Sequence, residues 1–297
     1  MYNKCVLCPR ECKVDRTNGQ KGFCGASDVA EVGRAMLHHW EEPCISGKNG
    51  SGTVFFSHCT LGCVYCQNRA ISRRQSNAVY VNENSLARTF INLENQGANN
   101  INLVTATHYT PTICKAIDIA RENGLKIPVL LNCGGYEKVS TIKMLEGKVQ
   151  IYLPDFKYYS CYYSEKYSKA EDYREIAEQA IDEMVRQTGK PVFDANGMLK
   201  SGTIIRHLML PDMLGDTKQV LRKIAEKWSD NVLVSLMRQY TPFDMSIYSE
   251  LDRTITESEY NEGVEYFNIL GLSGYLQESE SAKESFIPSF NGEGVII

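Results

Sequence analysis

The chain has 297 residues, enough for one large domain or two small ones, and 43% of them are hydrophobic, so a substantial core can be buried. A net charge of −4 argues against a broad basic surface and therefore against nonspecific nucleic-acid binding. No run approaches the ~18 apolar residues of a membrane span, and the first residues lack the apolar stretch of a signal peptide. Eleven cysteines without a secretion signal favour thiolate metal sites in a reducing compartment, so a soluble, cytoplasmic protein is expected.

The N-terminal segment, residues 1–50, is rich in cysteine and in turn-forming glycine and proline. Four of its cysteines follow the spacing Cys-x2-Cys-x3-Cys-x11-Cys: Cys5, Cys8, Cys12 and Cys24. A segment of this length that buries little apolar surface is usually stabilised by a metal. Four thiolates suit either tetrahedral zinc or an auxiliary iron–sulfur cluster, and free thiols on a loop are the alternative. Cys44 could replace one of the four.

Residues 53–57 form a short apolar run that predicts a buried strand, and a second cysteine motif follows it directly. Cys59, Cys63 and Cys66 are spaced Cys-x3-Cys-x2-Cys, and Gly62 allows the loop between them to curl. A cubane cluster normally takes four thiolates, so three would leave one iron open to nitrogen and oxygen donors of a small molecule. A zinc knuckle or three unrelated buried cysteines are the alternatives.

Strands and helices then alternate along the chain. Further strands are predicted at residues 101–105, 127–131, 149–153, 202–208 and 232–236. Helices are predicted at 85–94, from Pro111 onward, at 139–145 and 171–187, after a cap at Asp216 or Thr217, and after a capping box at Thr256 and Glu259. Six strand–helix units imply a parallel sheet, because such units join by right-handed crossovers. Periodicity alone leaves an open sheet and an incomplete barrel as alternatives.

Polar or reactive residues follow the predicted strands. In parallel α/β folds, ligands bind at the carboxyl ends of the strands. The candidates at these ends are Thr107, His108, Asn132, Cys133, Asp155, Lys157 and Arg206. We therefore expect a ligand-binding site that these ends share with the cysteine loop.

Several phrases of the sequence resemble one family. The motif of Cys59, Cys63 and Cys66, with Tyr65 before the last cysteine, is similar to that of the radical S-adenosylmethionine (radical SAM) superfamily. The phrases CVLCPREC, FFSHCTLGCVYCQN, YLPDFKY, IIRHLMLP and SLMRQY resemble PflX-type proteins related to pyruvate formate-lyase activating enzyme. The resemblance runs from Cys5 to about Gln277. It implies an α/β fold with an incomplete (β/α)6 TIM-like barrel at residues 51–275, the cysteine-rich segment before it and a C-terminal tail at 276–297.

The resemblance also implies a cofactor, a cosubstrate and site residues. Cys59, Cys63 and Cys66 match the ligands of a [4Fe–4S] cluster that cleaves SAM, and Tyr65 matches a position near the adenine. Residues 105–108 stand where the family has a glycine-rich motif for the SAM amino group, and those glycines are absent here. The SAM-binding candidates are Tyr65, Thr107, His108, Asn132, Asp155, Lys157 and Arg206. Asn132 stands where the activating enzymes tend to have aspartate.

Several of the candidate residues have a structural alternative. Asp155 and Lys157 could form an ordinary ion pair, and Arg206 could anchor a carboxylate. His108 could cap the next helix, and Cys133 could be a small buried hydrophobe. The tyrosines at 158, 159, 162, 163 and 167 could pack a loop or form a docking surface. No role is assigned to Cys114 or Cys161.

Three functions compete. The first is a SAM-cleaving activase that installs a glycyl radical on a partner enzyme, with reduced flavodoxin or ferredoxin as electron donor. The second is the same chemistry acting on a small molecule or on another protein residue. The third is a non-catalytic iron–sulfur or zinc protein, which the polar strand ends disfavour because an electron carrier needs no such pocket.

Overall fold

A mostly parallel β-sheet runs through the chain, seen in a computed structural model that describes residues 1–72, 78–243, 245–277 and 288–297. The strands are β1 (Ala30–His38), β2 (Ser51–Phe56), β3 (Val79–Val81), β4 (Ile101–Val104), β5 (Val129–Cys133), β6 (Ile151–Pro154), β7 (Val192–Phe193), β8 (Leu199–Leu208), β9 (Val232–Met237) and β10 (Gly274–Leu276). The helices are α1 (Pro43–Ser46), α2 (Arg69–Ser72), α3 (Glu83–Asn95), α4 (Thr110–Glu122), α5 (Val139–Lys143), α6 (Cys161–Ser168), α7 (Tyr173–Thr188), α8 (Leu214–Trp228) and α9 (Glu257–Ile269).

The strand order is β10-β9-β8-β6-β5-β4-β2-β1-β3, and β7 pairs with β8 beside this path. Strands β2, β4, β5, β6, β8, β9 and β10 run parallel to one another, whereas β1 and β3 are antiparallel additions at the β2 side. The path has two ends, β3 and β10. In the described part of the chain, the sheet is therefore an incomplete barrel, as the resemblance implies.

Alternation along the strands sorts side chains into an outer and an inner set. The outer set packs against helices α3, α4, α7 and α8 in two large apolar cores. The inner set includes Leu130, Ile151 and Ile204, which pack with Ile45 of α1 in a smaller apolar group. Helix α1 thus plugs the inside of the barrel near the amino ends of its strands. The space toward the carboxyl ends is left for polar side chains.

All six predicted strands are present, at β2, β4, β5, β6, β8 and β9, and the capping box at Thr256 and Glu259 is formed. The predicted cap of α8 is wrong. The helix begins at Leu214, and its N-cap residue makes no side-chain capping bond. Asp216 instead accepts hydrogen bonds from the backbone of residues 159 and 160. Thr217 bonds the ring of His207, so tertiary contacts hold both side chains.

The ends of the chain also belong to this architecture. Strand β1, within the predicted cysteine-rich segment, pairs along its length with β2. At the other end, the described residues 288–297 return to β1, where the backbone of residue 293 bonds Ala35 and Phe290 contacts Phe55. Residues 278–287 of the predicted tail lie outside the described residues. The domain boundaries at 50 and 275 stay predictions.

None of the helices in the described ranges is both long enough and apolar enough to cross a membrane.

Candidate active site

A cavity of about 860 Å³ opens at the carboxyl ends of the parallel strands. All ten residues predicted for the cysteine-loop and SAM site line it: Cys59, Cys63, Tyr65, Cys66, Thr107, His108, Asn132, Asp155, Lys157 and Arg206. These residues come from segments more than 140 positions apart in the chain, and the barrel brings them together. Their individual roles stay predictions, but their contacts now have defined geometry.

The cysteine loop has the curled shape that its sequence predicts. Gly62 adopts φ +70°, a left-handed conformation that glycine adopts without strain. The backbone N–H of Leu61 donates to Cys59 Sγ at 3.4 Å, and the Ser168 hydroxyl donates to Cys63 Sγ at 3.0 Å. Burial, together with the charges of Cys63 and Cys66, raises the pKa of Cys59 to about 12, as expected for sulfurs that lie close together. A bound cation or cluster would relieve this cost.

The donor set fits an iron–sulfur cluster. The three cysteines form no disulfide, and all three line the wall of one cavity. In the described ranges, no three Cys, His, Asp or Glu side chains are already gathered around a position for a single metal ion. A cluster binds each thiolate through a different iron and so takes sulfurs that are more widely spaced than the ligands of one ion. Three thiolates on one loop are the kind of donor set that a cluster takes from a protein.

Tyr65 lies in an aromatic environment beside this loop. Its ring is 5% exposed and meets the rings of Tyr158, Tyr167 and Tyr240 edge-on, at centroid distances of 6.3, 6.5 and 6.2 Å. Tyr158 and Tyr167 are fully buried, so these members of the tyrosine-rich stretch pack the loop rather than form a docking surface.

His108 supports the strand that leads into the cysteine loop. Its Nε2 lies 2.9 Å from the carbonyl oxygen of Ser57. Burial, helped by the nearby charge of Arg16, lowers the pKa of His108 to about 3, so the ring is neutral and Nε2 is the donor. Helix α4 begins at Thr110 with no side-chain capping bond, so the alternative that His108 caps this helix is wrong.

Asp155 and Lys157 form an ion pair on the cavity wall, with 2.5 Å between Oδ2 and Nζ. Burial acts to lower the pKa of Lys157, but the Asp155 carboxylate and the cysteine sulfurs outweigh it and raise the pKa. The Tyr173 hydroxyl fixes the backbone here, since it accepts from Lys157 N at 2.9 Å and lies 2.8 Å from the Asp155 carbonyl oxygen. The pair is therefore positioned before any ligand arrives.

Arg206 is held between two carboxylates deeper in the barrel. Its Nε donates to Glu42 Oε1 at 2.9 Å, its Nη2 donates to Glu42 Oε2 at 3.1 Å, and Nη2 also contacts Glu41. Glu41 further accepts from Asn132 at 3.3 Å and from Asn102 at 2.9 Å. Arg206 and Asn132 thus form a buried network with the segment before α1. This arrangement matches the structural alternative in which Arg206 anchors a carboxylate.

The four N-terminal cysteines lie near enough to influence one another's ionisation. Negative charge on Cys12 and Cys24 adds to the burial that raises the pKa of Cys8, and charge on Cys5 and Cys12 acts likewise on Cys24. The described residues contain no preformed single-ion site here either. Cys44 is not part of this group, because it lies in the α1 plug.

Arg10 joins the N-terminal segment to the cysteine loop. Its guanidinium donates to the carbonyl oxygens of Thr60 at 3.2 Å and Ser168 at 3.1 Å, and it lies over the Phe23 ring at 4.0 Å. The N-terminal segment therefore packs directly against the loop that would hold the cluster.

Sequence reasoning missed three acidic residues of the cavity wall: Glu41, Glu42 and Glu137. Glu137 lies four residues after Cys133, a candidate at the end of the third predicted strand, so extending that segment by four residues would have included it. Glu41 and Glu42 gave no comparable signal, because they precede the first strand of the barrel.

Known proteins share sequence or fold with this chain, although no protein-family model matches it. An uncharacterised protein of Methanocaldococcus jannaschii is 27% identical over 274 residues, which cover 89% of this chain and 74% of that protein.

Two solved structures share the fold at low sequence identity. The [FeFe]-hydrogenase maturase HydG aligns with a TM-score of 0.52 and 15% identity over 81% of this chain and 53% of HydG. SuiB of Streptococcus suis, bound to its precursor peptide SuiA, aligns with a TM-score of 0.51 and 14% identity over 75% of this chain and 47% of SuiB. The chain thus spans about half the length of either structure. Both are radical SAM enzymes, and the chain has their incomplete-barrel fold.

Proposed function

We propose that this protein is a radical SAM enzyme in which Cys59, Cys63 and Cys66 hold a [4Fe–4S] cluster. The observation that carries the proposal is that these three thiols face the same cavity as the polar residues at the strand ends. When bound and reduced, the cluster would supply one electron to SAM, giving methionine and a 5′-deoxyadenosyl radical that abstracts a hydrogen atom. A non-catalytic iron–sulfur carrier would not need a cavity of about 860 Å³ with such a wall.

The chain's own residues position the reactants. Arg10 and Ser168 hold the cysteine loop, and the Ser168 hydroxyl stabilises negative charge on Cys63 Sγ through its hydrogen bond. Asp155 can accept from ribose hydroxyls, and Lys157 can donate to the SAM carboxylate. Tyr65 offers an aromatic surface for the adenine. Thr107, His108 and Asn132 complete the polar wall.

The proposed hydrogen donor is a glycine residue of a partner protein, so that the enzyme acts as an activase. Two observations support a polypeptide substrate. The cavity is lined in part by Trp40 and Leu276, which are 62% and 41% exposed and would contact an entering chain. SuiB, which shares the fold, binds a precursor peptide. Reduced flavodoxin or ferredoxin is the proposed electron donor.

The first experiment tests the chemistry. Anaerobically reconstituted protein is reduced with dithionite and mixed with SAM, and we expect 5′-deoxyadenosine and methionine in equal amounts. Cys63→Ala should lose both the cluster signal and the cleavage, because a cluster held by two protein thiolates is not retained. Full SAM cleavage by Cys63→Ala would contradict the proposal.

A second experiment tests the substrate class. The reaction is repeated with candidate glycyl radical enzymes, and an organic radical on the partner is sought by EPR spectroscopy. Reduced flavodoxin or ferredoxin should replace dithionite. Turnover with a small molecule or with a different protein residue, and none with these partners, would leave the SAM chemistry intact but exclude the activase role.

A further inference from the structure

The hydroxyl group of Ser168, the last residue of α6, lies against one sulfur of the cysteine loop. Its Oγ donates to Cys63 Sγ at 3.0 Å, although the two residues are 105 positions apart in the chain. The contact is dry, because Ser168 is fully buried and Cys63 is 7% exposed. A thiolate that ligates iron has no proton of its own, so in a loaded protein only Ser168 can be the donor. The fold therefore places a fixed donor on a sulfur that would share the charge of a cluster.

Tyr158 extends this contact into a chain of two hydroxyl groups. Its hydroxyl oxygen lies 2.7 Å from Ser168 Oγ. A serine hydroxyl has one hydrogen, and Ser168 directs it to Cys63, so Tyr158 is the donor of this second bond. Tyr158 is fully buried, and its ring meets those of Tyr65 and Tyr173 edge-on at 6.3 and 5.3 Å. Hydrogen bonds in series polarise one another where the local dielectric is low, so Tyr158 strengthens the bond to the sulfur.

The end of α6 is attached to the cysteine loop by contacts that do not involve the Ser168 hydroxyl. The backbone N–H of Val64 donates to the carbonyl oxygen of Tyr167 at 2.9 Å. The Arg10 guanidinium donates to the carbonyl oxygen of Ser168 at 3.1 Å, and the Tyr167 hydroxyl donates to Glu250 Oε1 at 2.7 Å. Removal of the hydroxyl alone should therefore leave the loop and the helix in place.

The donor to Cys63 differs in kind from the donor to Cys59. Cys59 Sγ accepts from the backbone N–H of Leu61 at 3.4 Å, a bond that the loop forms with itself. The Cys63 bond depends instead on the side chain of another element. Hydrogen bonds to the sulfurs are among the factors that set the reduction potential of an iron–sulfur cluster. Such a bond is stronger after reduction, because part of the added negative charge resides on the sulfur.

We propose that Ser168 and Tyr158 raise the reduction potential of the cluster, so that a carrier of the flavodoxin or ferredoxin class can reduce it. The inference rests on the proposed function, because it takes Cys63 as a cluster ligand. In this step the reduced carrier loses one electron, the cluster gains it, and no covalent bond forms or breaks. Both residues act through the Cys63 sulfur and not on SAM.

The test is a redox titration of anaerobic, cluster-loaded protein without SAM, followed by the EPR signal of the reduced cluster. Ser168→Ala removes the donor to Cys63, and Tyr158→Phe removes only the second hydroxyl. Ser164→Ala is the matched control, since Ser164 is also a buried serine of α6 but its hydroxyl donates to the Cys161 carbonyl oxygen at 3.1 Å. Iron content and the urea unfolding midpoint are recorded for each protein.

Ser168→Ala should make reduction of the cluster about tenfold less favourable, which for one electron is a fall of about 59 mV in potential. Tyr158→Phe should lower the potential by a smaller amount, and Ser164→Ala should keep the parent value. If Ser168→Ala does not retain its iron, the potential of Tyr158→Phe decides the question. An unchanged potential in the variants that retain their iron, or an equal fall in Ser164→Ala, would overturn the inference.

SAM cleavage with dithionite distinguishes this failure from failure of the proposed function. A parent protein that cleaves SAM while the Ser168 and Tyr158 variants keep its potential would overturn only the role of the two hydroxyl groups. A parent protein that binds no [4Fe–4S] cluster, or that holds one and does not cleave SAM, would overturn the proposed function itself.

Discussion

Replacement of Arg206 by methionine should strongly destabilise the fold. The guanidinium is 11% exposed, and the carboxylates of Glu41 and Glu42 that it bridges are 8% and 4% exposed. Arg206→Met would therefore leave two carboxylates inside the barrel without their cationic partner. Removing one partner of a buried ion pair typically costs about 3–5 kcal/mol, because the remaining charge stays desolvated. We expect a loss of that size in the free energy of unfolding at neutral pH.

The pH dependence separates this cause from a simple packing defect. Burial acts to raise the pKa of Glu42, but the charge and hydrogen bonds of Arg206 outweigh it, so the pKa is lowered in the unaltered protein. The Glu42 carboxylate therefore contributes to stability above the ordinary pKa of glutamate. This contribution is lost as the pH falls through the lowered pKa of Glu42 in the folded protein. Without Arg206, burial would raise the pKa of Glu42. The difference between variant and parent should therefore be largest above about pH 7 and should shrink toward pH 4.5.

Urea unfolding of anaerobic protein at several pH values measures this difference. Arg186→Met is the matched control, since Arg186 also bridges two glutamates, Glu146 and Glu183, but is 52% exposed. We expect a much smaller loss there, because solvent screens exposed pairs. Combining Arg206→Met with Glu41→Gln and Glu42→Gln should restore much of the lost stability. An unchanged midpoint in Arg206→Met, or no recovery in the triple variant, would refute the reasoning.

Three further predictions concern other parts of the chain. We expect the Cys59/Cys63/Cys66 triple alanine variant to retain zinc or residual iron at Cys5, Cys8, Cys12 and Cys24 by elemental analysis; a folded protein without metal would contradict this. Asp155→Asn and Lys157→Met should each weaken SAM binding about tenfold to a hundredfold with unchanged iron content, and unchanged affinity in both would return the pair to a purely structural role. Thr256→Ala should lower the free energy of unfolding by about 1 kcal/mol through loss of the α9 capping box, and an unchanged denaturation curve would count against that contribution.

The barrel strands could be predicted because the apolar residues that cause each strand to be buried lie within the strand itself. Residues 53–57 and 232–236, for example, are short apolar runs, and such runs indicate strands that are covered on both faces. Strand β1 could not be predicted in the same way. It mixes polar, charged and glycine residues, and it becomes a strand through antiparallel pairing with β2. Its existence depends on a neighbour rather than on its own pattern.

The residues of the candidate site fall into the same two groups, those that a local pattern indicates and those that depend on a distant part of the chain. Its cysteine loop and strand ends follow from local motifs and from the rule that ligands bind at the carboxyl ends of parallel strands. The partners of these residues do not follow, because they come from distant parts of the chain. Arg206 is bound by Glu42, which lies 164 positions earlier, and Cys63 receives a hydrogen bond from Ser168, 105 positions later. Sequence spacing contains no signal for such pairs.

The carboxylates around the cavity show why these contacts matter for function. Strand alternation alone would treat Asp155 and an acidic neighbour such as Glu137 as equivalent candidates for a ligand. The structure separates them, because Asp155 already bonds Lys157 at 2.5 Å, whereas Glu137 has an unpaired oxygen. A ligand cation at Asp155 must compete with an existing ammonium group, whereas Glu137 keeps one oxygen without a partner among the described residues. The two acidic residues of this wall therefore offer a ligand different contacts, and only the folded arrangement distinguishes them.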